Sequence, residues 1–92
     1  MNKIELIQQI SHKTSLNNTV TGKILTATIQ TIISETAAGK TVVVAGFGTF
    51  EARLRKERTG HNPVTGEMIT IPESKVPAFK PAKNFKDMVK KQ

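Results

Sequence analysis

The chain has 92 residues, with four phenylalanines, no tryptophan, no tyrosine and no cysteine. That length gives one domain near the lower limit for a self-supporting core, and without cysteine neither disulfide staples nor thiolate metal sites are available to reinforce it. The formal net charge is +7, and residues 51–92 hold ten Lys/Arg against five acids while residues 1–50 hold four against two, so the basic excess gathers in the second half.

Asn2 and Glu5 stand where an N-cap and its capping-box partner belong, and Ile4, Ile7 and Ile10, with Leu6 beside them, give the first helix an apolar face. This helix is expected to end before the polar run Thr14-Ser15-Leu16-Asn17-Asn18. Asn17 or Asn18 caps a second helix running to Ala38, with Gly39 as its stop. Val20, Ile24 and Ala27 fall on one side of it, and Leu25, Ile29, Ile32 and Ile33 on another. A band this broad exceeds what one covered surface needs, and it suits a helix that packs on its own neighbour and on a partner subunit. The plainer alternative is a central helix in a monomer, which a body this small does not favour.

Thr41 to Ala45 is a β-branched run and reads as a strand; Gly46-Phe47-Gly48-Thr49-Phe50 then turns back into a second one. Both glycines are assigned to the turn, and the two phenylalanines are the largest core side chains at hand. A phosphate-binding loop is rejected here, since no Lys-Ser/Thr opens a following helix.

Phe50, Ala52 and Leu54 alternate with Glu51, Arg53 and Arg55, and Ile69 and Ile71 alternate with Met68 and Thr70. Between these extended legs lies a stretch with almost nothing to anchor it in a core: Asn62-Pro63 and Thr65-Gly66 are turn signals. The expectation is a long hairpin arm over about residues 53–76, basic on its outside and tipped by a rigid, apolar proline. Glu73 to Pro81 returns as a short strand with proline at both ends, suited to a sheet edge. A C-terminal helix from Ala82 to about Lys91 follows, with Phe85, Met88 and Val89 as its stripe. Lys90 and Lys91 suit its C-terminal dipole; Lys83 and Lys86, in the first turns, gain nothing there and read better as phosphate contacts. Residues 1–40 thus form a helical dimerisation region, 41–81 a sheet with its arm, and 82–92 a final helix.

The strings Gly46-Phe47-Gly48-Thr49-Phe50 and Arg58-Thr59-Gly60-His61-Asn62-Pro63-Val64-Thr65-Gly66, with the return leg Ile69-Thr70-Ile71-Pro72, closely resemble the bacterial histone-like HU family and its relative IHF. The likeness runs the whole chain in element order, through Val76-Pro77-Ala78-Phe79-Lys80 and the last helix. It implies an α+β fold: a two-helix hairpin, a three-stranded antiparallel sheet with a long β-ribbon arm, and a short C-terminal helix, assembled as an intertwined homodimer. It also implies a cytoplasmic, nucleoid-associated protein that wraps, bends and condenses double-stranded DNA with little sequence preference, favouring bent, nicked or distorted duplexes. By position, Pro63 becomes the minor-groove wedge. Arg53, Arg55, Arg58, His61, Asn62 and Lys75 fall to the arm, and Lys3, Lys80, Lys83 and Lys86 to the body's DNA contacts. Phe47, Phe50, Phe79, Ile29 and Ile32 form the dimer core. His61 departs from the family's usual arginine, and a neutral imidazole leaves the tip one charge short at pH 7.

The physics agrees without the family. A β-ribbon lies along a groove, and a compact ring can unstack bases at about a few kcal/mol per step, recovered through contacts to the bent duplex. Few tip side chains could read base edges, so shape and deformability dominate. Other classes fare worse. His12 and His61 are the only histidines, and neither sits in a catalytic arrangement, so no enzyme, cofactor or metal is expected. No apolar run approaches a spanning length, the N-terminus shows no signal-peptide pattern, and the last helix is too short and too weakly apolar to anchor on a membrane surface; a soluble intracellular protein is expected. A sequence-selective IHF-like subunit, or a small structural RNA-binding protein, remains the alternative.

Overall fold

A computed structural model describes residues 1–91. The chain divides into two compact units, residues 1–34 and residues 35–92. The division falls inside the second helix.

In the first unit, α1 spans Lys3–Thr14, and α2, Asn18–Ala37, begins here. Asn2 caps α1 as expected: its Oδ1 accepts the Glu5 N–H at 2.9 Å, supplying a partner to an otherwise orphaned helix donor. Thr14 belongs to the helix after all, its hydroxyl donating to the Ile10 carbonyl at 2.8 Å, and Ser15, at φ 61°, closes it. Asn17, not Asn18, caps α2 by accepting the Val20 N–H at 2.8 Å. The helices approach at Gly22, where a Cβ would meet Ile7 Cδ1 at 3.5 Å.

Helix α2 ends in the second unit, one residue short of expectation. Gly39, at φ 87°, donates to the Thr36 carbonyl at 3.0 Å, and Lys40 donates to that of Glu35 at 3.0 Å. These two bonds form a Schellman close, which glycine alone enters without strain. Three antiparallel strands follow in the order β1-β2-β5: β1 is Val42–Val44, β2 is Gly48–Arg55 and β5 is Ser74–Pro81. A separate two-stranded ladder joins β3, Arg58–His61, to β4, Met68–Ile71. Helix α3, Lys83–Lys90, comes last, slightly shorter than the expected span.

Two expectations need correcting. The first leg of the hairpin does not pair with Ile69 and Ile71; residues 48–55 pair along their whole length with 74–81 in β5, while Ile69 and Ile71 pair with Gly60 and Arg58. The arm is therefore two ladders in tandem, interrupted at Lys56-Glu57 on one leg and Pro72-Glu73 on the other. Pro72 has no N–H to offer a ladder at that break. Strand β5 is a sheet edge as expected, but it is as long as β2.

The second correction concerns Gly48. Gly46 does supply the turn: at φ 81° it allows Phe47 to donate to the Val44 carbonyl at 3.0 Å. Gly48 lies instead within β2, opposite Pro81, and is buried. A Cβ there would fall 2.5 Å from both the Lys80 carbonyl oxygen and the Phe79 ring, so this glycine makes room for an aromatic. Phe47, Phe50, Phe79 and Phe85 form one cluster over this end of the sheet, with ring centroids 4.8 Å apart for Phe50 and Phe79 and 5.2 Å for Phe47 and Phe79.

Among the described residues no apolar side chain is buried; only Ser11, Thr21 and Thr36, and Gly48, fall in that class. Ile4 is 69% exposed and Ile33 62%. Ile29, Phe47 and Phe79 are exposed, while Ile32 and Phe50 are half-covered.

Candidate nucleic-acid interface

The apex of the arm is built by Asn62. Its N–H donates to the Glu67 carbonyl and its own carbonyl accepts the Gly66 N–H, both at 2.8 Å. Its Oδ1 accepts the Val64 N–H at 2.9 Å and, more weakly, the Thr65 N–H at 3.4 Å. This is an Asx turn, in which the side chain substitutes for backbone. Gly66, at φ 73°, supplies the left-handed residue that brings the chain round. The Asn62 side-chain oxygen is thus committed to shaping the loop. Pro63 is exposed, and Val64 beside it is 91% exposed. Sequence reading missed Val64; its signal was a branched apolar residue inside a turn otherwise free of them.

Register determines which cations share a face, because cross-strand partners point the same way and alternate residues do not. In β2/β5, Thr49, Glu51, Arg53 and Arg55 pair with Lys80, Ala78, Val76 and Ser74 and make one face. The other carries Phe50, Ala52 and Leu54, paired with Phe79, Pro77 and Lys75. Arg53, Arg55 and Lys80 share a face; Lys75 stands on the opposite, aromatic face. In β3/β4, Arg58 and Gly60 share a face with Ile71 and Ile69, whereas His61 shares the reverse with Thr59, Met68 and Thr70. Arg58 and His61 therefore address opposite sides of the ribbon.

The β2/β5 polar face holds an acid among its cations. Glu51 Oε1 lies 3.2 Å from Arg53 Nη2, 3.2 Å from Arg53 Nε and 3.3 Å from Lys80 Nζ. Hydrogen bonds from Lys80 and then Arg53 hold the Glu51 carboxyl below its ordinary range. The sequence does not reveal this ion pairing, since the diagonal partner of Glu51 on β5 is visible only once register is known.

Helix α3 is tied to the β1–β2 turn at its first residues. The Ala82 N–H donates to the Phe47 carbonyl at 2.9 Å, and Asn84 Nδ2 donates to the Gly46 carbonyl at 2.8 Å. With Phe85 in the aromatic cluster, Lys83, Lys86 and Lys90 follow one another at helical spacing along another side. Lys3 opens α1 in the first unit and is exposed. Among the described residues, no group of His, Asp and Glu gathers as a metal site and no helix is long and apolar enough to cross a membrane.

Comparison with known proteins places this geometry. The family model described as bacterial DNA-binding protein matches residues 1–90. The DNA-binding protein HU of Buchnera aphidicola is 44% identical over 90 residues, covering 98% of each chain. The SPbeta prophage-derived DNA-binding protein HU 2 of Bacillus subtilis is 46% identical over 90 residues, again covering 98% of each. Among solved structures, the Anabaena HU–DNA cocrystal superposes with a TM-score of 0.91 at 43% identity, covering 97% of each chain. A ribbon with a proline apex, a basic sheet face and a match along nearly the whole chain agree: this chain belongs to the bacterial DNA-binding protein family that contains HU.

Proposed function

We propose that the chain is a non-enzymatic architectural protein that binds double-stranded DNA as a homodimer and bends it with two arms. DNA binding and an architectural role accord with its family. The finer reading rests above all on the apex, where Pro63 and Val64 are held out on a turn locked by Asn62. An exposed apolar pair on a preorganised loop is costly in water and useful between unstacked bases. Pro63 is the wedge. Arg53, Arg55 and Arg58 grip backbone along the legs, with His61 and Lys75 on the ribbon's other sides, and Lys3, Lys80, Lys83 and Lys86 support flanking DNA.

Dimerisation is supported by the apolar exposure of both units. With no buried apolar side chain among the described residues, a lone protomer lacks the burial that stabilises a domain. Ile29, Ile32, Phe47, Phe50 and Phe79 supply the shared core. Contacts of this kind read shape more than base identity, so the protein favours nicked or already distorted duplexes and acts on the nucleoid in the cytoplasm.

Titration against intact, nicked and RNA duplexes at two salt concentrations tests this reading. Tighter binding to nicked than to intact DNA is expected, with RNA weakest and a steep salt dependence throughout. Equal or stronger binding to duplex RNA would overturn it.

A further inference from the structure

Among the cations of the β2/β5 polar face, the acid Glu51 calls for a role of its own. Strand alternation places Glu51 on the same face as Arg53, and the register brings Lys80, the partner of Thr49, diagonally across from it. All three contacts converge on one oxygen, Oε1. The Glu51 side chain is 24% exposed, against 53% for Arg53 and 62% for Lys80, so the acid is the least exposed of the three. A guanidinium edge and an ammonium meeting at a single anionic oxygen is the arrangement such groups make around a phosphate oxygen.

We infer that Glu51 is an internal stand-in for a DNA phosphate, holding Arg53 and Lys80 together until a backbone phosphate takes them by exchange. This rests on the reading of the face as a DNA surface. Exposed ion pairs are weakly held, so the exchange is easy. The displaced carboxylate then remains beside the duplex and opposes it. Two cations already neutralised within the protein also contribute less to net ion release than two free ones would. Glu51 thereby tempers affinity and flattens salt dependence, and it keeps the two cations on one side of the sheet before DNA arrives.

The test compares wild-type protein with E51Q, R53Q, K80Q and the double variant E51Q/R53Q on one duplex over a series of salt concentrations. Glutamine keeps the length of the side chain and removes its charge. E51Q is expected to bind several-fold tighter at low salt, with the slope of log affinity against log salt steeper by about one unit. R53Q and K80Q each weaken binding and flatten that slope, and the gain from E51Q shrinks when Arg53 is already gone. If R53Q and K80Q behave so while E51Q matches wild type or binds more weakly, the role given to Glu51 is wrong and the DNA face stands. If R53Q and K80Q leave affinity and slope untouched, the face itself is misassigned and the inference falls with it.

Discussion

The helical unit and the arm both expose apolar side chains, and they do so in opposite ways. On α1 and α2 the exposed residues recur over many turns, from Ile4 to Ile24, Ile29 and Ile33, on helices whose ends are closed by Asn2, Asn17 and Gly39. At the arm tip the exposed apolar residues are few, Pro63 and Val64 on a single turn with Met68 and Ile69 on the return strand. A broad apolar surface on a rigid backbone calls for another protein surface of like extent. A small apolar apex cannot form such an interface; under the proposed function it enters between stacked bases. The extent and shape of the exposed apolar surface, more than its amount, distinguish a subunit contact from a wedge.

Substitutions separate the two regions. The largest effect is expected from Ile29→Asp, which sets a carboxylate in the apolar surface assigned to the dimer. A loss of more than about 3 kcal/mol should convert dimer to unfolded monomer, seen by light scattering with circular dichroism. A folded dimer carrying this change would remove Ile29 from the interface. Gly48→Ala comes next: its methyl would collide with the Lys80 carbonyl and the Phe79 ring, costing about 1–3 kcal/mol in urea unfolding. Asn62→Ala acts on the arm alone. It removes the acceptor for two backbone N–H groups, at about 1 kcal/mol of local order, and should reduce DNA bending while leaving the thermal midpoint of the dimer in place. A lowered midpoint would mean that the arm is coupled to the body's stability.

The smallest effect is that of pH through Glu51. Its carboxyl sits below its ordinary value of 4.5 in the folded chain, so its contribution to stability is present above that value and fades as pH falls through the lowered one. Solvent exposure keeps the contribution slight. Wild type and Glu51→Gln should therefore differ slightly in stability at neutral pH and converge as pH falls through this acidic range.

Local chemistry made the elements readable from the chain. Asn2 and Gly39 mark helix ends by their own hydrogen-bonding and conformational preferences, and the β-branched run at 42–44 and the Asn-Pro and Thr-Gly turn signals act within a few residues of themselves. What escaped depends on register, because a slip of one residue exchanges the two faces of a strand. Thus the pairing of Lys75 with Leu54, on the face opposite Arg53, and the place of Gly48 within β2 beside Phe79 are not legible in the sequence. The pairing of Glu51 with Lys80 spans 29 positions and leaves no local trace. The tandem ladders escaped for the same reason, since alternation on each leg reads alike whichever leg it pairs with.

Energy transfer between dyes on the two ends of a short duplex measures the bend that a wedge must produce. If Pro63 opens the stack, Pro63→Ala should bring the ends measurably farther apart at saturating protein, while binding retains nearly all of its salt dependence. A bend unchanged by Pro63→Ala would show that the apex does not open the DNA.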